Sequence, residues 1–223
     1  MISFLKKLFK KNSTEKGEIP KKFIAKFLPK NPIIVEAGAH VGADTLEMAR
    51  LWPNSKIYAF EPVPYIFEQL IKNTERLKNA TYYPIALSNK SGKSVIYVSS
   101  GASDASSSLL SPKEHLNFHP DVSFNKKLDI NTITLDDWAI ENDIMKVDLL
   151  WLDLQGLELK VLKAGTNVLK SVKVIYSEVS LIENYDGGEL YSELKDWLES
   201  NSFQVVKEEL PWEDGGNVLF VKR

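Results

Sequence analysis

Two acidic residues stand where two neighbouring strands are expected to end, and they are the residues best placed for chemistry. Glu36 opens the segment EAGAHVG, in which Gly38 and Gly42 let the backbone approach a ligand closely. Glu61 lies 25 residues further on, in the segment FEP. A carboxylate at the end of a second strand can accept hydrogen bonds from a ribose diol. The two segments therefore predict a nucleoside-binding site, although an ordinary tight turn with a solvated Glu61 would give the same pattern.

The spacing of the glycines separates two classes of nucleotide cofactor. The dinucleotide-binding fingerprint is G-x-G-x-x-G, but here position 36 holds Glu and position 41 holds Val. The observed acid-x-Gly-x-x-x-Gly pattern suits a cofactor without a pyrophosphate, and its carboxylate can meet an ammonium group. S-adenosylmethionine (AdoMet) combines an ammonium group with a ribose and an adenine. The pattern therefore favours AdoMet, and a nicotinamide oxidoreductase is the less favoured enzyme class.

Predicted strands and helices alternate around these segments. Short apolar runs predict strands at 33–35, 56–60, 81–87, 147–154 and 172–179, and apolar residues at helical spacing predict helices at 41–51, 64–78, 158–162 and 189–200. Such alternation is typical of βαβ units and a parallel sheet. Two further runs, at 203–206 and 218–221, predict a terminal antiparallel pair.

The composition fits one ordinary folded domain. The chain has 223 residues, of which 43% are hydrophobic and 26% charged, and no apolar run approaches the roughly 20 residues that span a bilayer. Cysteine is absent, which excludes a disulfide framework and thiolate chemistry and fits a cytoplasmic protein. The net charge of −2 argues against nucleic acid as the partner of the whole domain.

The first 30 residues form a basic arm ahead of the domain at 31–223. They hold nine lysines against Glu15 and Glu18, a local charge of about +7. Residues 1–11, MISFLKKLFKK, predict a short amphipathic helix with its lysines on one face. One interpretation is weak peripheral contact with the inner face of an anionic membrane. The other, which we favour, is a solvated helix that docks on its own domain or frays.

The chain resembles the FkbM family of AdoMet-dependent methyltransferases over roughly residues 31–223. The resemblance is carried by VEAGAHVG (35–42), FEP (60–62), ALS (86–88), SSSL (106–109), ITLDDW (133–138) and, most specifically, DLLWLDLQGLELKVLKAG (148–165). It implies an α/β, Rossmann-like class I fold with a mostly parallel seven-stranded sheet, an antiparallel last strand and helices on both faces. It also implies methyl transfer to an oxygen, often a sugar hydroxyl, of a small-molecule or glycan acceptor. The alternatives are a lipid or small metabolite as acceptor, or a non-catalytic AdoMet-binding module docked at a membrane.

The resemblance also implies roles for single residues. Glu36, Gly38, Ala39 and Gly42 would hold the methionine end of the cofactor, Glu61 would bind the ribose hydroxyls with Pro62 shaping its turn, and Ala86 and Leu87 would border the adenine. His40 lies inside the glycine loop, where we expect its backbone N–H to matter more than its ring. Asp153 would lie at the end of a strand, beside the transferred methyl group.

Asp153 is the first candidate for the base that removes a proton from an acceptor hydroxyl. It follows an apolar strand, and ligands bind at the carboxyl ends of strands in open α/β sheets. A helix N-terminal cap or a cofactor contact is the alternative role. Glu178 ends the next strand, so the two carboxylates could share a Mg²⁺ ion. Two ligands are few, and Gln155 stands where many relatives have Glu, so we do not favour a metal.

Residues 99–127 lack clear periodicity and are rich in Ser, Pro, Asn and Lys. Segments this long without regular structure are usually functional or mobile. We expect an insertion that folds over the acceptor side of the site, with a mobile surface loop as the alternative. His115 and His119 are spaced as metal ligands on a helix often are, but Asn117 and Pro120 argue against a stable helix. We therefore interpret both histidines as loop residues, one of which could line an acceptor pocket.

Overall fold

The structure, a computed structural model, describes residues 17–223, and its main sheet has seven strands. These strands are β1 (Ile33–Ala37), β2 (Lys56–Phe60), β3 (Ala80–Tyr83), β7 (Leu149–Leu152), β8 (Val174–Ser180), β9 (Phe203–Glu209) and β10 (Gly215–Lys222). Their order across the sheet is β3-β2-β1-β7-β8-β10-β9. The first five run parallel, and β10 runs antiparallel to both β8 and β9. The predicted α/β fold with a mostly parallel sheet and an antiparallel last strand is confirmed.

A second, three-stranded sheet has the order β4-β6-β5, formed by β4 (Ala86–Leu87), β5 (Gly92–Gly101) and β6 (Val122–Ile133). The prediction of one strand at 81–87 is wrong, because its two halves belong to different sheets. Pro84 separates them, and proline cannot donate a backbone hydrogen bond to a sheet. The two ends of the segment 99–127 also differ from expectation, since they complete β5 and begin β6.

Helices connect the strands. They are α1 (Lys21–Ile24), which continues into a 3₁₀ turn (Ala25–Phe27), α2 (Ala43–Leu51), α3 (Pro64–Thr74), α4 (His115–Phe118), α5 (Leu135–Glu141), α6 (Glu158–Lys163), α7 (Thr166–Leu169) and α8 (Tyr191–Ser200). Pro64 occupies the first turn of α3, where a missing N–H costs nothing. Thr134 caps α5 by accepting a hydrogen bond from the Asp137 backbone N–H at 3.0 Å. The interpretation of His115 as a loop residue is wrong, because it begins the short helix α4.

The central strands are buried on both faces, which explains their continuous apolar sequences. Side chains alternate along a strand, so Val35 and Leu150 belong to the core on one face of the sheet. Ile34 and Trp151 belong to the core on the other face. Trp151 stacks on Tyr176 of the neighbouring strand with 3.7 Å between ring centroids, so its ring is committed to packing.

The described part of the basic arm packs against the second of these faces. Ile19 is fully buried there. The Lys21 ammonium lies within 3.1 Å of three carboxylates, those of Glu18, Asp44 and Glu47. This lysine occupies the centre of an acidic cluster that would otherwise suit a cation. The predicted helix at 1–11 lies outside the described residues, and no helix within residues 17–223 has the length and apolar character needed to cross a membrane.

Candidate active site

Two adjacent strand ends meet so closely at Gly38 that only glycine fits. Gly38 follows β1, and Asp153 follows β7, with the Asp153 N–H donating to the Ala37 carbonyl at 3.0 Å. Gly38 has a φ of +87°, and a Cβ built on it would lie 2.0 Å from the Asp153 carbonyl oxygen. Glycine therefore lets the loop after β1 lie directly against the residue after β7.

The Glu61 carboxylate is held in place by backbone donors from two loops. Its oxygens accept the His40 N–H at 3.1 Å and the Val63 N–H at 2.8 Å. Burial raises the pKa of Glu61 to about 7, against the opposing effect of these two hydrogen bonds. The carboxylate is thus fixed in orientation at the end of β2, with lone pairs left to accept hydroxyl donors.

The ends of β1, β2, β4 and β7 surround one cleft, which we call the strand-end cleft. Seven of the predicted site residues line it: Gly38, His40, Glu61, Pro62, Ala86, Leu87 and Asp153. Phe60, Val63 and Ile66 add apolar walls beside them. The cleft thus combines an anchored carboxylate, a glycine that admits close approach, and apolar walls. This combination fits a nucleoside cofactor, whose ribose carries hydroxyl groups and whose adenine is largely apolar on its faces.

Three predicted cofactor residues, Glu36, Ala39 and Gly42, lie outside the lining of this cleft. The Glu36 side chain is buried and accepts the Thr45 hydroxyl at 2.6 Å, on the opposite face of β1 from Ala37. Burial, followed by the charge of Asp44, raises the pKa of Glu36 to about 8. Gly42, with a φ of +86°, caps α2 and donates its N–H to the Ala39 carbonyl at 2.8 Å. All three shape the loop, and their contact with a cofactor stays a prediction.

Gln155 links two carboxyl groups that the sequence had suggested as a pair. Its amide nitrogen lies 2.8 Å from Asp153 Oδ1 and 2.5 Å from Glu178 Oε2. Its amide oxygen lies 2.7 Å from the Tyr185 hydroxyl, which also lies 2.8 Å from the Ser106 carbonyl. Sequence reasoning missed Gln155 as a positioning residue, since Glu178 and Tyr185 are distant from it along the chain.

This arrangement suits a hydrogen-bond donor between the carboxyl groups better than a metal ion. A Mg²⁺ ion shared by Asp153 and Glu178 would take the oxygen lone pairs that the Gln155 amide now uses. Burial, together with the neighbouring Asp153 carboxyl, raises the pKa of Glu178 well above its ordinary value. Glu178 therefore holds a proton more tightly than an exposed glutamate does, which further disfavours metal binding at this pair.

A second space, which we call the polar cavity, opens on the other side of Asp153 and Gln155. It measures about 410 Å³. Side chains from four separate parts of the chain line it, including Ser106, His115, His119, Glu178, Asn184, Tyr185, Trp212 and Asp214. Asp153 and Gln155 line both the strand-end cleft and the polar cavity. The two spaces therefore meet at these two side chains.

Both histidines of the serine-rich region line the polar cavity. His119 Nε2 lies 2.9 Å from Asp214 Oδ2, and the two imidazole centroids are 4.7 Å apart. Burial, followed by the neighbouring His119, lowers the pKa of His115 to about 4, so this ring is neutral at pH 7. The sequence suggested only that one of these histidines could line an acceptor pocket, and it gave no sign of Asp214 or Asn184, which come from distant loops.

Residues 103–109, which we call the serine segment, lie across both spaces. Asp104 and Leu109 line the strand-end cleft, and Ser106 lines the polar cavity. The His40 ring lies 3.0 Å from the Asp104 carboxylate, and Ser108 Oγ donates to the Gln155 carbonyl at 2.8 Å. His40 thus contacts Glu61 through its backbone and the serine segment through its ring.

The architecture is that of the Rossmann-like methyltransferases. Among solved structures, the chain is similar to Aeropyrum pernix fibrillarin, whose crystal structure holds natively bound S-adenosyl-L-methionine, with a TM-score of 0.52 and 14% sequence identity. The match covers 92% of this chain and 71% of that one. A likeness at this level of identity establishes the fold.

The sequence places the chain within this class more narrowly. The model of the methyltransferase FkbM domain matches residues 36–205, and the chain belongs to that family. It is 32% identical over 162 residues to the 2-O-methyltransferase NoeI of Sinorhizobium fredii, covering 70% of this chain and 67% of that one. It is 26% identical over 166 residues to the hexuronic acid methyltransferase AglP of Haloferax volcanii, covering 73% of this chain and 62% of that one.

Proposed function

We propose that this methyltransferase uses AdoMet and methylates a hydroxyl group of a sugar or glycan. The observation that carries the proposal is the position of Asp153, which lines both the nucleoside-shaped cleft and the polar cavity. A donor in the first space and an acceptor in the second would meet at this carboxyl group. Holding two reactants in contact accounts for much of the acceleration of a displacement reaction.

The strand-end cleft supports AdoMet as the donor. Glu61 would accept the ribose hydroxyls, and Ala86, Leu87 and Phe60 would border the adenine. Gly38 leaves the methionine end free to approach the backbone beside Asp153. A relative of this fold binds AdoMet natively, which agrees with the chemistry of these residues.

The reaction needs a base on the acceptor side. When bound, AdoMet supplies an electrophilic methyl group on a sulfonium; the acceptor oxygen forms a bond to that carbon as the carbon–sulfur bond breaks, leaving S-adenosylhomocysteine and a methyl ether. Asp153 takes the hydroxyl proton and passes it to solvent. Gln155 holds the Asp153 carboxylate in position through its 2.8 Å hydrogen bond. A positioned base of this kind typically contributes about 10²–10⁴-fold.

A sugar acceptor is supported by the lining of the polar cavity and by one relative. The cavity presents serine, histidine, asparagine and tyrosine side chains, which can exchange hydrogen bonds with several hydroxyl groups. The exposed Trp212 ring offers an apolar face at the same cavity. The relative AglP is named for a hexuronic acid, a sugar derivative.

The test is transfer of a radiolabelled methyl group from AdoMet to a panel of methyl glycosides, followed by mass spectrometry of the product. We expect a methyl ether on one sugar hydroxyl. Asp153→Asn should lower kcat by about 10²–10⁴-fold while the Kd for AdoMet stays unchanged. Asp129→Asn, at an exposed position on β6, is the matched control and should retain full activity.

Two results would count against the proposal. Transfer near the wild-type rate by Asp153→Asn would remove this residue as the base. Transfer to a lipid or small metabolite, with none to any glycoside, would replace the sugar as the acceptor.

Full activity in excess EDTA is expected, because the Gln155 amide occupies the space between the two carboxyl groups.

A further inference from the structure

The charged groups around the polar cavity are of one sign. Asp153 and Asp214 contribute carboxylates to its lining, and Glu178 contributes a third carboxyl group, which burial and the Asp153 carboxyl make harder to ionise. Among the described residues that line the cavity, none is a lysine or an arginine. Lys113 lies two residues before His115, but its ammonium is paired with the Glu183 carboxylate at 2.5 Å. The walls therefore offer no free cation to a negatively charged ligand.

The two histidines do not change this balance. His115 is neutral at pH 7, because burial lowers the pKa of its imidazole to about 4. His119 directs Nε2 to the Asp214 carboxylate at 2.9 Å, so that nitrogen is already engaged by an anion of the protein. An incoming carboxylate or phosphate would thus compete with Asp214 for this nitrogen of the His119 imidazole.

The same walls hold polar atoms that a hydroxylated ligand would satisfy. His115 Nδ1 and Asn184 Oδ1 are buried and have no hydrogen-bond partner among the described residues. Both side chains line the cavity and are more than nine-tenths buried. A buried polar atom without a partner is costly, so a ligand that supplies hydroxyl groups gains from meeting it. Trp212, 44% exposed, adds an apolar surface for the C–H face of a sugar ring.

We propose that the polar cavity selects an uncharged sugar ring and rejects sugars that carry a carboxylate or a phosphate. The selection works by repulsion, because an anion would enter a space lined by carboxyl groups without a cation to pair with. The inference rests on the proposed function, since it defines which sugars that function accepts.

The test compares acceptors that differ only in charge. Each neutral hexose glycoside, in the gluco, galacto and manno series, is paired with the hexuronate of the same configuration. We expect the neutral member to have a kcat/KM at least ten-fold higher in whichever series is methylated. An equal or higher kcat/KM for the hexuronate would overturn the proposal.

A pair of variants identifies charge as the cause. Ser103→Arg adds a guanidinium group at the cavity lining and should lower the neutral-to-hexuronate ratio at least three-fold. Ser103→Met adds a chain of similar length without charge and should leave the ratio unchanged. Equal ratios in the two variants would show that charge does not determine the selection.

The outcome separates this inference from the proposed function. Methylation of hexuronates in preference to hexoses would overturn the inference and leave sugar methylation standing. Calorimetric binding of AdoMet with no methylation of either sugar class would overturn the sugar acceptor itself, and the inference with it. A preference for the neutral glycosides that Ser103→Arg reduces and Ser103→Met leaves unchanged would support both this inference and the proposed function.

Discussion

The strand-end cleft and the polar cavity share Asp153 and Gln155 but are built in different ways. The cleft is shaped by backbone: a left-handed glycine, N–H groups that fix Glu61, and short turns after successive strands. The cavity is shaped by side chains from distant loops, joined by hydrogen bonds such as that between His119 and Asp214.

This contrast teaches where specificity resides in the molecule. Backbone-built sites depend on strand order and turn geometry, which a fold keeps constant, so they suit a cofactor. Side-chain-built sites can change with single substitutions in loops, so they suit a variable acceptor. We therefore expect substitutions in the two regions to affect different kinetic parameters.

The largest effect should come from Gly38→Ala, which attacks the backbone of the cleft. The new Cβ would lie 2.0 Å from the Asp153 carbonyl oxygen, in a backbone conformation that disfavours alanine. We expect a loss of at least about 3 kcal/mol in the free energy of unfolding, together with loss of AdoMet binding. Chemical denaturation and calorimetry measure the two quantities.

Gly92→Ala is the control for this substitution. Gly92 also has a positive φ, +141°, but a Cβ there meets nothing within 4 Å. It should cost only about 1 kcal/mol and leave AdoMet binding intact. Equal losses from the two substitutions would show that backbone strain alone, and not the contact with Asp153, is responsible.

The next largest effect should come from Glu61→Gln. The variant removes the charge that strengthens hydrogen bonds to the ribose, so the Kd for AdoMet should rise about ten-fold, or ~1.4 kcal/mol. The acceptor KM should not change. Glu68→Gln, at an exposed position on α3, is the matched control. A rise in acceptor KM with no change in Kd would reverse the assignment of the two spaces.

Tyr185→Phe should give a smaller effect, confined to the polar cavity. It removes the hydroxyl that lies near both Gln155 and Ser106. We expect the acceptor KM to rise about five-fold, or ~1 kcal/mol, with an unchanged Kd for AdoMet. Tyr83→Phe is the control, because it also removes a hydroxyl that is hydrogen-bonded, in this case to Asn142 at 3.0 Å. If Tyr185→Phe weakened AdoMet binding instead, the two spaces would not be energetically separate.

The smallest effect is a pH dependence of stability that originates in the cleft and its supporting loops. Burial raises the folded-state pKa of Glu36 to about 8, and those of Glu61 and Glu158 to about 7, from 4.5. The folded protein then binds more protons than the unfolded chain above pH 4.5, so its stability falls as pH rises toward 8. His115 opposes this trend only below pH 6.5, because its pKa is lowered from 6.5 to about 4.

The melting temperature without ligand should therefore fall by about 2–4 °C between pH 7.5 and pH 8.5. Glu36→Gln should flatten this dependence, because Glu36 has the highest folded-state pKa of these three glutamates, and Glu68→Gln should not. A melting temperature that rises with pH across this interval would contradict the assigned pKa shifts.

The cleft could be predicted because each of its determinants directly follows a strand that the sequence predicts. Gly38, Glu61 and Asp153 each follow a strand, and parallel strands bring their carboxyl ends to one edge of the sheet. Glu36 shows the limit of this reasoning. Side chains alternate along β1, so the Glu36 side chain points toward Thr45 and away from the lining of the cleft. The spacing of the residues alone did not show which face of the strand Glu36 occupies.

The cavity could be predicted only in part, because contacts across long stretches of sequence assemble it. Gln155 meets Glu178 and Tyr185 across intervals of 23 and 30 residues, and His119 meets Asp214 across 95. No local pattern specifies such pairs. The alternation at 94–99 predicts an exposed strand, which the structure extends to β5, whereas most of β6 was missed because its exposed polar residues resemble loop composition.

The most direct test of the central claim is a crystal structure with S-adenosylhomocysteine. We predict that the nucleoside lies in the strand-end cleft, with a ribose hydroxyl in hydrogen-bond distance of the Glu61 carboxylate and the sulfur directed toward Asp153. A nucleoside bound elsewhere, or a cleft that stays empty at saturating ligand, would contradict it.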